Sequence, residues 1–245
     1  MVAARAPEPD VRAGVLKAAT RLFAAHGFDG TTLQDVAAAV GVSKPAVLHH
    51  FPSKEHIRAG VLAAILEHWQ GTLPRLLLAA TASEERFEAV FGELFRFFSA
   101  DSDRARVVLR EALDRPAEAK KLLAGPVRPW IESIAAYIRA GQASGRHHAD
   151  VDPEAYVVHM LQLVLAATAS APVTTALLAA SEGESARGRY DRELARVART
   201  SLFITSKDDP RGATEQRARV SMGAPLGAAP SSAPKPPHRR HKGTR

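Results

Sequence analysis

Residues 31–51 read TTLQDVAAAVGVSKPAVLHHF, and the fold follows from how this stretch pairs with itself. Leu33, Val36, Ala37 and Val40 recur at helical spacing, so a short helix with one apolar face is expected there. Thr32 can cap it, because a hydroxyl accepts one of the N–H groups a helix start leaves unbonded. Asp35 sets a carboxylate where the helix dipole favours one. Gly41 can take a positive φ without a Cβ penalty and ends the helix. Val42 is an apolar plug for the turn. Ser43 caps a second helix, Lys44 to His50, with Pro45 in its first turn, where a missing N–H costs least. Val47, Leu48 and Phe51 are its expected core contacts; Lys44, Ala46, His49 and His50 are left facing outward. Two helices joined at a steep angle by a glycine turn make a helix-turn-helix, whose second helix can enter a DNA major groove.

The flanks extend this unit. Val11, Val15, Ala19, Leu22 and Phe23 stripe a preceding helix that ends at Gly27, with Arg12 and Lys17 off the stripe and free to reach phosphates. Phe28 is expected beneath the motif. After Pro52-Ser53 a long helix starts at Lys54, carrying Ile57, Val61, Ile65 and Trp69. It links this head to a second domain.

From about Asp10 to Trp69 the chain resembles the DNA-binding head of TetR/AcrR-family (tetracycline-repressor-like) bacterial transcriptional regulators. The residues that carry the resemblance are the helix Val11 to His26, Gly27-Phe28-Asp29-Gly30-Thr31-Thr32, Val36-Ala37, Gly41-Val42-Ser43-Lys44, Phe51 and Ser53-Lys54-Glu55. The chain departs from the family at Pro45, where Gly is frequent, and at Leu48 and His50, where Tyr is frequent and commonly touches DNA. The resemblance implies a homodimer on a palindromic operator, released by a small molecule that moves the linking helix.

Beyond Gly71 to Pro74, where the long helix should stop, no alternating period-2 run occurs and only helices are expected. They cover Ser83 to Ala100, Ser102 to Asp114, a segment opening at Pro116 that Gly125-Pro126 interrupts, and Val127 to Ser144. Three more are expected at Pro153 to Ser170, Pro172 to Ala180 and Tyr190 to about Ser206, with loops at 145–151 and 181–189. The fold class is all-α: a three-helix helix-turn-helix head plus a larger C-terminal helical ligand-binding and dimerisation domain. The expected organisation is a disordered N-terminus at 1–9, the head at 10–69 with its motif at about 32–51, the second domain at 70–207, and a disordered basic tail at 208–245.

The 245 residues contain no cysteine, which excludes disulfide and thiolate chemistry, and no apolar run of membrane-spanning length. The N-terminus lacks a signal-peptide pattern, so the expected compartment is the cytoplasm. Of the net charge of +7, the last 38 residues supply 8 Lys+Arg against 3 Asp+Glu, while residues 61–207 hold 18 of each. Basic ends around a neutral middle suit a DNA binder whose larger domain does something else, and equally a protein with a basic tail.

The expected DNA contacts are Thr32, Ser43 and Lys54 to phosphates and Lys44, Ala46, His49 and His50 to bases, with Pro45 at the start of the reading helix. His49 and His50 are alternatively plain surface residues. Phe87, Phe91, Phe95, Phe98, Trp130, Tyr137, His159 and Met160 are candidates for an apolar effector cavity, or ordinary core. The helices at 153–170 and 190–206 are the candidate dimer faces, or internal core. His147-His148 near Asp150 and Asp152, and His238 with His241, are the dense histidine groups; they fall in loop and tail without metal-site spacing, so no metal is expected. No nucleophile or phosphate-loop motif occurs, no cofactor is implied, and an enzyme is not expected. The partners are double-stranded operator DNA, a small-molecule effector and a second copy of the chain, with no membrane. The alternative is a helical small-molecule- or protein-binding module without sequence-specific DNA binding.

Overall fold

The computed structural model describes residues 10–79, 83–179 and 183–204. The expectations for 1–9 and for 208–245 with His238 and His241 lie outside the described residues; the last helix, expected to reach about Ser206, ends instead at Thr200, where Ser201 closes it and the chain turns toward Phe203. Among the described residues the elements are α1 (Val11–His26), α2 (Leu33–Val40), α3 (Lys44–His50), α4 (Lys54–Ala79), α5 (Ser83–Ala100), α6 (Ser102–Asp114), α7 (Pro116–Ala143), α8 (Pro153–Ala169), α9 (Ala171–Ala176) and α10 (Ala186–Thr200). The described fold is all-α; its one extended feature is an isolated antiparallel bridge between His147 and Phe203. No described helix is long and apolar enough to cross a membrane.

Local chemistry sets most boundaries. Asp10 accepts from the Ala13 N–H at the start of α1. Thr32 and Asp35 form a reciprocal capping box on α2. Gly41 closes α2 at φ 77°, and the Val42 N–H bonds back to the Ala37 carbonyl, turning the chain sharply into α3. Ser43 caps α3, Asp101 α6, and Asp152 α8.

Two expected breaks are absent. α4 runs through Pro74 to Ala79, and α7 runs unbroken through Pro126 and Pro129. A proline inside a helix costs about 3 kcal/mol. Burial of Trp69 and Leu73 in the turns before the first site, each contributing about 1.5–3 kcal/mol, offsets that cost. α10 begins at Ala186, four residues before expected, because Ser185 accepts from the Gly188 N–H and Arg187 pairs with Asp191 one turn on. α9 is shorter than expected.

One core runs from Val15 in α1 through Trp69 to Phe203, so it crosses the expected 69/70 boundary. α1 packs on α2, α4 and α6; α8 packs on α5, α6 and α7. Gly60 lets α4 approach α1, since a Cβ there would meet Leu16 at 2.9 Å.

The loop after α7 holds the largest surprise. His147 is 1% exposed, not a loop-surface residue. Its Nδ1 lies 3.0 Å from the Ile138 carbonyl, and its ring meets Tyr137 and Phe203 edge-on. His148 N–H bonds to Leu202 O and Ile204 N–H to Arg146 O, tying the loop to the chain after α10. His147 therefore does not pair with His148 as a metal-binding dyad. Burial pushes its imidazole below the ordinary range. Gly141 makes the room: a Cβ there would fall 1.9 Å from His147 Nδ1.

Gly141→Ala should therefore lose about 2–3 kcal/mol in urea unfolding through overpacking, whereas Gly125→Ala, with open space at its Cβ, should gain up to about 1 kcal/mol. Equal effects at the two sites would refute the packing account. In a ring-proton titration by NMR, His147 should stay neutral below about pH 6.5, where a free imidazole is half charged. The unfolded chain then takes the proton first, so stability contributed by neutral His147 is full above that pH and is lost as pH falls through the depressed native value. A midpoint at or above about 6.5 would contradict this burial effect.

Candidate nucleic-acid interface and effector cavity

α3 divides into two faces. Val47 is fully buried against the head core and Phe51, just past the helix, is nearly so. Lys44, Pro45, His49 and His50 are exposed and Ala46 is half-buried, so these expected contacts share one solvent-facing element. Leu48, expected in the core, is 36% exposed instead. In a short helix held by Val47, the next side chain lies about 100° around and misses the core. Leu48 thus adds an apolar group to the outward surface. The His49 and His50 rings meet edge-on at 5.4 Å.

Thr32 and Ser43 both sit exposed at helix starts. Thr32 Oγ1 donates to Asp35 Oδ2 at 2.7 Å and accepts from the Asp35 N–H at 3.1 Å. The hydroxyl and N–H of Thr32 hold the Asp35 carboxyl below its usual range. Ser43 Oγ accepts from the Ala46 N–H at 3.3 Å. Arg12 is exposed, with its guanidinium 5.4 Å from the Phe51 ring centroid.

Lys54 does something other than expected. Its Nζ donates to the carbonyls of Phe28 and Thr31, both at 2.8 Å, and lies 4.2 Å from the Phe28 ring centroid. It closes the turn that feeds α2, which leaves little of its ammonium for a phosphate. Arg58 and Arg115 also stand over that ring. Arg58, 6% exposed, meets Glu111 of α6 at 3.1 Å and Glu118 of α7 at 3.5 Å. Burial pushes the Glu111 carboxyl up, while Arg58 and Arg115 pull it back. Arg115 reaches Asp29, and Arg110 the Ala25 carbonyl. The α6–α7 corner is thereby tied to the turn in front of the helix-turn-helix.

The same corner borders a cavity of about 590 Å³, open to solvent on one side and lined by α4, α5, α6, α7 and α8. Of the candidate cavity residues, Phe87, Phe91, Phe98, Trp130, Tyr137 and Met160 line it. Trp69 and its neighbours on α4, read from sequence only as linker packing, line it too. Phe95 and His159 do not. Phe95 sits one position around α5 from Leu94 and packs beneath Arg187 of α10, 5.5 Å away. His159 is exposed, on the α8 face opposite the wall residues Val157 and Leu161. Phe97, which the aromatic stripe did not include, is buried and stacks on His68 at 4.3 Å. Burial, then Arg104 and Arg75, push His68 below the usual imidazole range. Among the described residues no group of three or more histidines and carboxylates could hold a metal.

Lys54→Met should lose about 1.5–3 kcal/mol of stability, since hydrogen bonds from a charged group would go. It should leave the salt dependence of DNA binding unchanged. A slope reduced by about one with an unaltered melting temperature would instead assign Lys54 to phosphate.

The family model described as bacterial regulatory proteins, tetR family, matches residues 15–61. The chain is 31% identical over 156 residues to the HTH-type transcriptional regulator RutR of Escherichia coli K12, covering 63% of this chain and 70% of that protein. It shares its fold with the ketosteroid transcriptional regulator KstR2 of Mycobacterium tuberculosis, at a TM-score of 0.62 and 17% identity over 80% of this chain and 97% of the other. AibR, solved in complex with isovaleryl coenzyme A and operator DNA, aligns at a TM-score of 0.60 and 18% identity over 76% and 96%. With residues 15–61 matched by the family model and 70% of a 31%-identical relative covered, this chain belongs to the tetR family of bacterial regulatory proteins.

Proposed function

We propose that the protein is a homodimeric one-component transcriptional regulator, a repressor that holds a palindromic operator through α3 and is released by a small effector. The observation that carries the reading is the two-faced α3. Its back is fixed by Val47, and its front offers Lys44, Ala46, Leu48, His49 and His50 to solvent within seven residues. Lysine can donate to guanine O6 and N7, an alanine or leucine can meet a thymine methyl, and histidine can donate to a base edge. Ser43 and the N–H groups at the helix starts supply phosphate contacts and so register, and Thr32 joins them when its hydroxyl turns from Asp35 to a phosphate, with Pro45 holding the first turn of α3.

One head covers few base pairs, so two are needed, about 34–36 Å apart on the operator. α8 and α10 are the proposed dimer faces. On α8 the exposed His159 and Ala166 flank Leu163 on the side away from the cavity, and Val197 of α10 is 41% exposed. Val173 and Leu177 at α9 add exposed apolar surface that a monomer would leave in water. The cavity is the proposed effector site, and AibR, solved with isovaleryl coenzyme A and operator DNA, shows that a protein of the same fold takes both a small molecule and DNA. The working compartment is the cytoplasm, and no catalytic step is assigned.

Selection and sequencing of the duplexes bound by the purified protein tests the reading. An inverted repeat and a steep log–log salt dependence are expected. Equal affinity for any duplex would overturn it. Lys44→Ala should weaken operator binding by about 1–3 kcal/mol with no change in melting temperature, because Lys44 is exposed and takes part in no ion pair among the described residues. Unaltered operator affinity in that variant removes Lys44 from the contact set.

A further inference from the structure

Resting on the effector reading of the cavity, the chemistry of its wall narrows what it can take. Among the described residues three charged side chains line it, Arg86, Lys120 and Arg128, and all are cations; no described Asp or Glu does. The remaining wall is apolar apart from two tyrosines and Gln162, and the hydroxyl of Tyr156 already donates to the Ala198 carbonyl. The cations are not equivalent. Arg128 is shared with Glu132 and Glu154. Lys120 is exposed, on the same side of α7 as the wall residues Leu123, Val127 and Ile131, and makes no ion pair among the described residues. Lys120 thus sets a cation without an ion pair beside an otherwise apolar wall.

We propose that the cavity binds an amphipathic anion, an apolar chain or fused-ring body whose carboxylate or phosphate head lies at Lys120. At about 30 Å³ per water-sized group, the volume of about 590 Å³ admits a body of roughly 20 heavy atoms. The apolar wall supplies affinity in proportion to chain length, about 0.8 kcal/mol or fourfold in Kd per methylene. The cations supply orientation. An ammonium at Lys120 donates a charge-assisted hydrogen bond to an anion, and the same cations disfavour a positively charged head.

Both tryptophans of the chain, Trp69 and Trp130, line the cavity, so intrinsic fluorescence reports on it directly. The full-length protein would be titrated with dodecanoate, dodecyl phosphate, dodecanol and dodecyltrimethylammonium below their micellar concentrations, with calorimetry for stoichiometry. The two anions should bind one per chain and about tenfold or more tighter than dodecanol, with the cation weakest. A preference between the anions supports the proposal and identifies the head. Lys120→Gln, at an exposed site, should weaken both anions about tenfold and leave dodecanol unchanged. Dodecanol equal to the anions, or anion affinity unaltered in Lys120→Gln, overturns the anionic assignment while leaving the cavity in place. Failure of all four chains to bind, or undiminished binding in a folded Leu161→Trp variant that fills the cavity, overturns the effector site and the proposal together.

Discussion

The buried guanidinium of Arg58 is the constraint on which the arrangement depends. A charge withdrawn from water is tolerated only with a partner, and removing the partner of a buried pair costs about 3–5 kcal/mol. Arg58 finds Glu111 on α6 and Glu118 on α7. The base of α4 is thus held to the α6–α7 corner by a charge that has nowhere else to go. Phe28 lies under the same guanidinium, with Lys54 and Arg115 on the ring beside it. An apolar pair of similar volume would hold the two parts with less directionality. The ion pair fixes one register between them.

That corner is shared. Ala112, Pro116 and Ala119 border the cavity, while Glu111, Arg115 and Glu118 face the head. α4 contributes in the same way, with Arg58 near its start and Leu62, Ile65, Trp69 and Leu73 along the cavity. The two elements that touch the head therefore also form the cavity wall. A body that fills the cavity presses on helices whose other ends carry Arg58 and its carboxylates, and packed helices shift as units rather than deform locally. The structural requirement for a ligand-sensitive head is met by contiguous elements, without a separate signalling part.

Prolines and histidines show how tertiary context reassigns residues. Pro74, Pro126 and Pro129 lie within helices because buried faces elsewhere on α4 and α7 hold each helix in place across its proline. His147 sits in a polar-looking loop sequence, yet the loop closes over the end of α10 and carries the ring into the core, where Gly141 leaves space. Lys54, adjacent to a reading head, points inward at two carbonyls. Each departs from its local expectation because a partner beyond its own turn (Ile138 and Phe203 for His147, Phe28 and Thr31 for Lys54) outweighs a local preference of at most about 3 kcal/mol.

The sequence by itself determined what neighbouring residues decide among themselves. The bounds of α1, α2, α3, α5 and α6, the capping box of Thr32 and Asp35, the positive-φ turn at Gly41 and the buried back of α3 were all readable. Their hydrogen bonds close within a turn or so of chain, and the apolar period shows which side is covered. Only the tertiary structure decided that α4 and α7 are continuous, that Leu48 faces out, that Phe95 and His159 turn from the cavity while Trp69 enters it, and that Arg58 meets Glu111. Those outcomes depend on which helix lies opposite. A one-dimensional pattern states that a face must be covered but does not say by what.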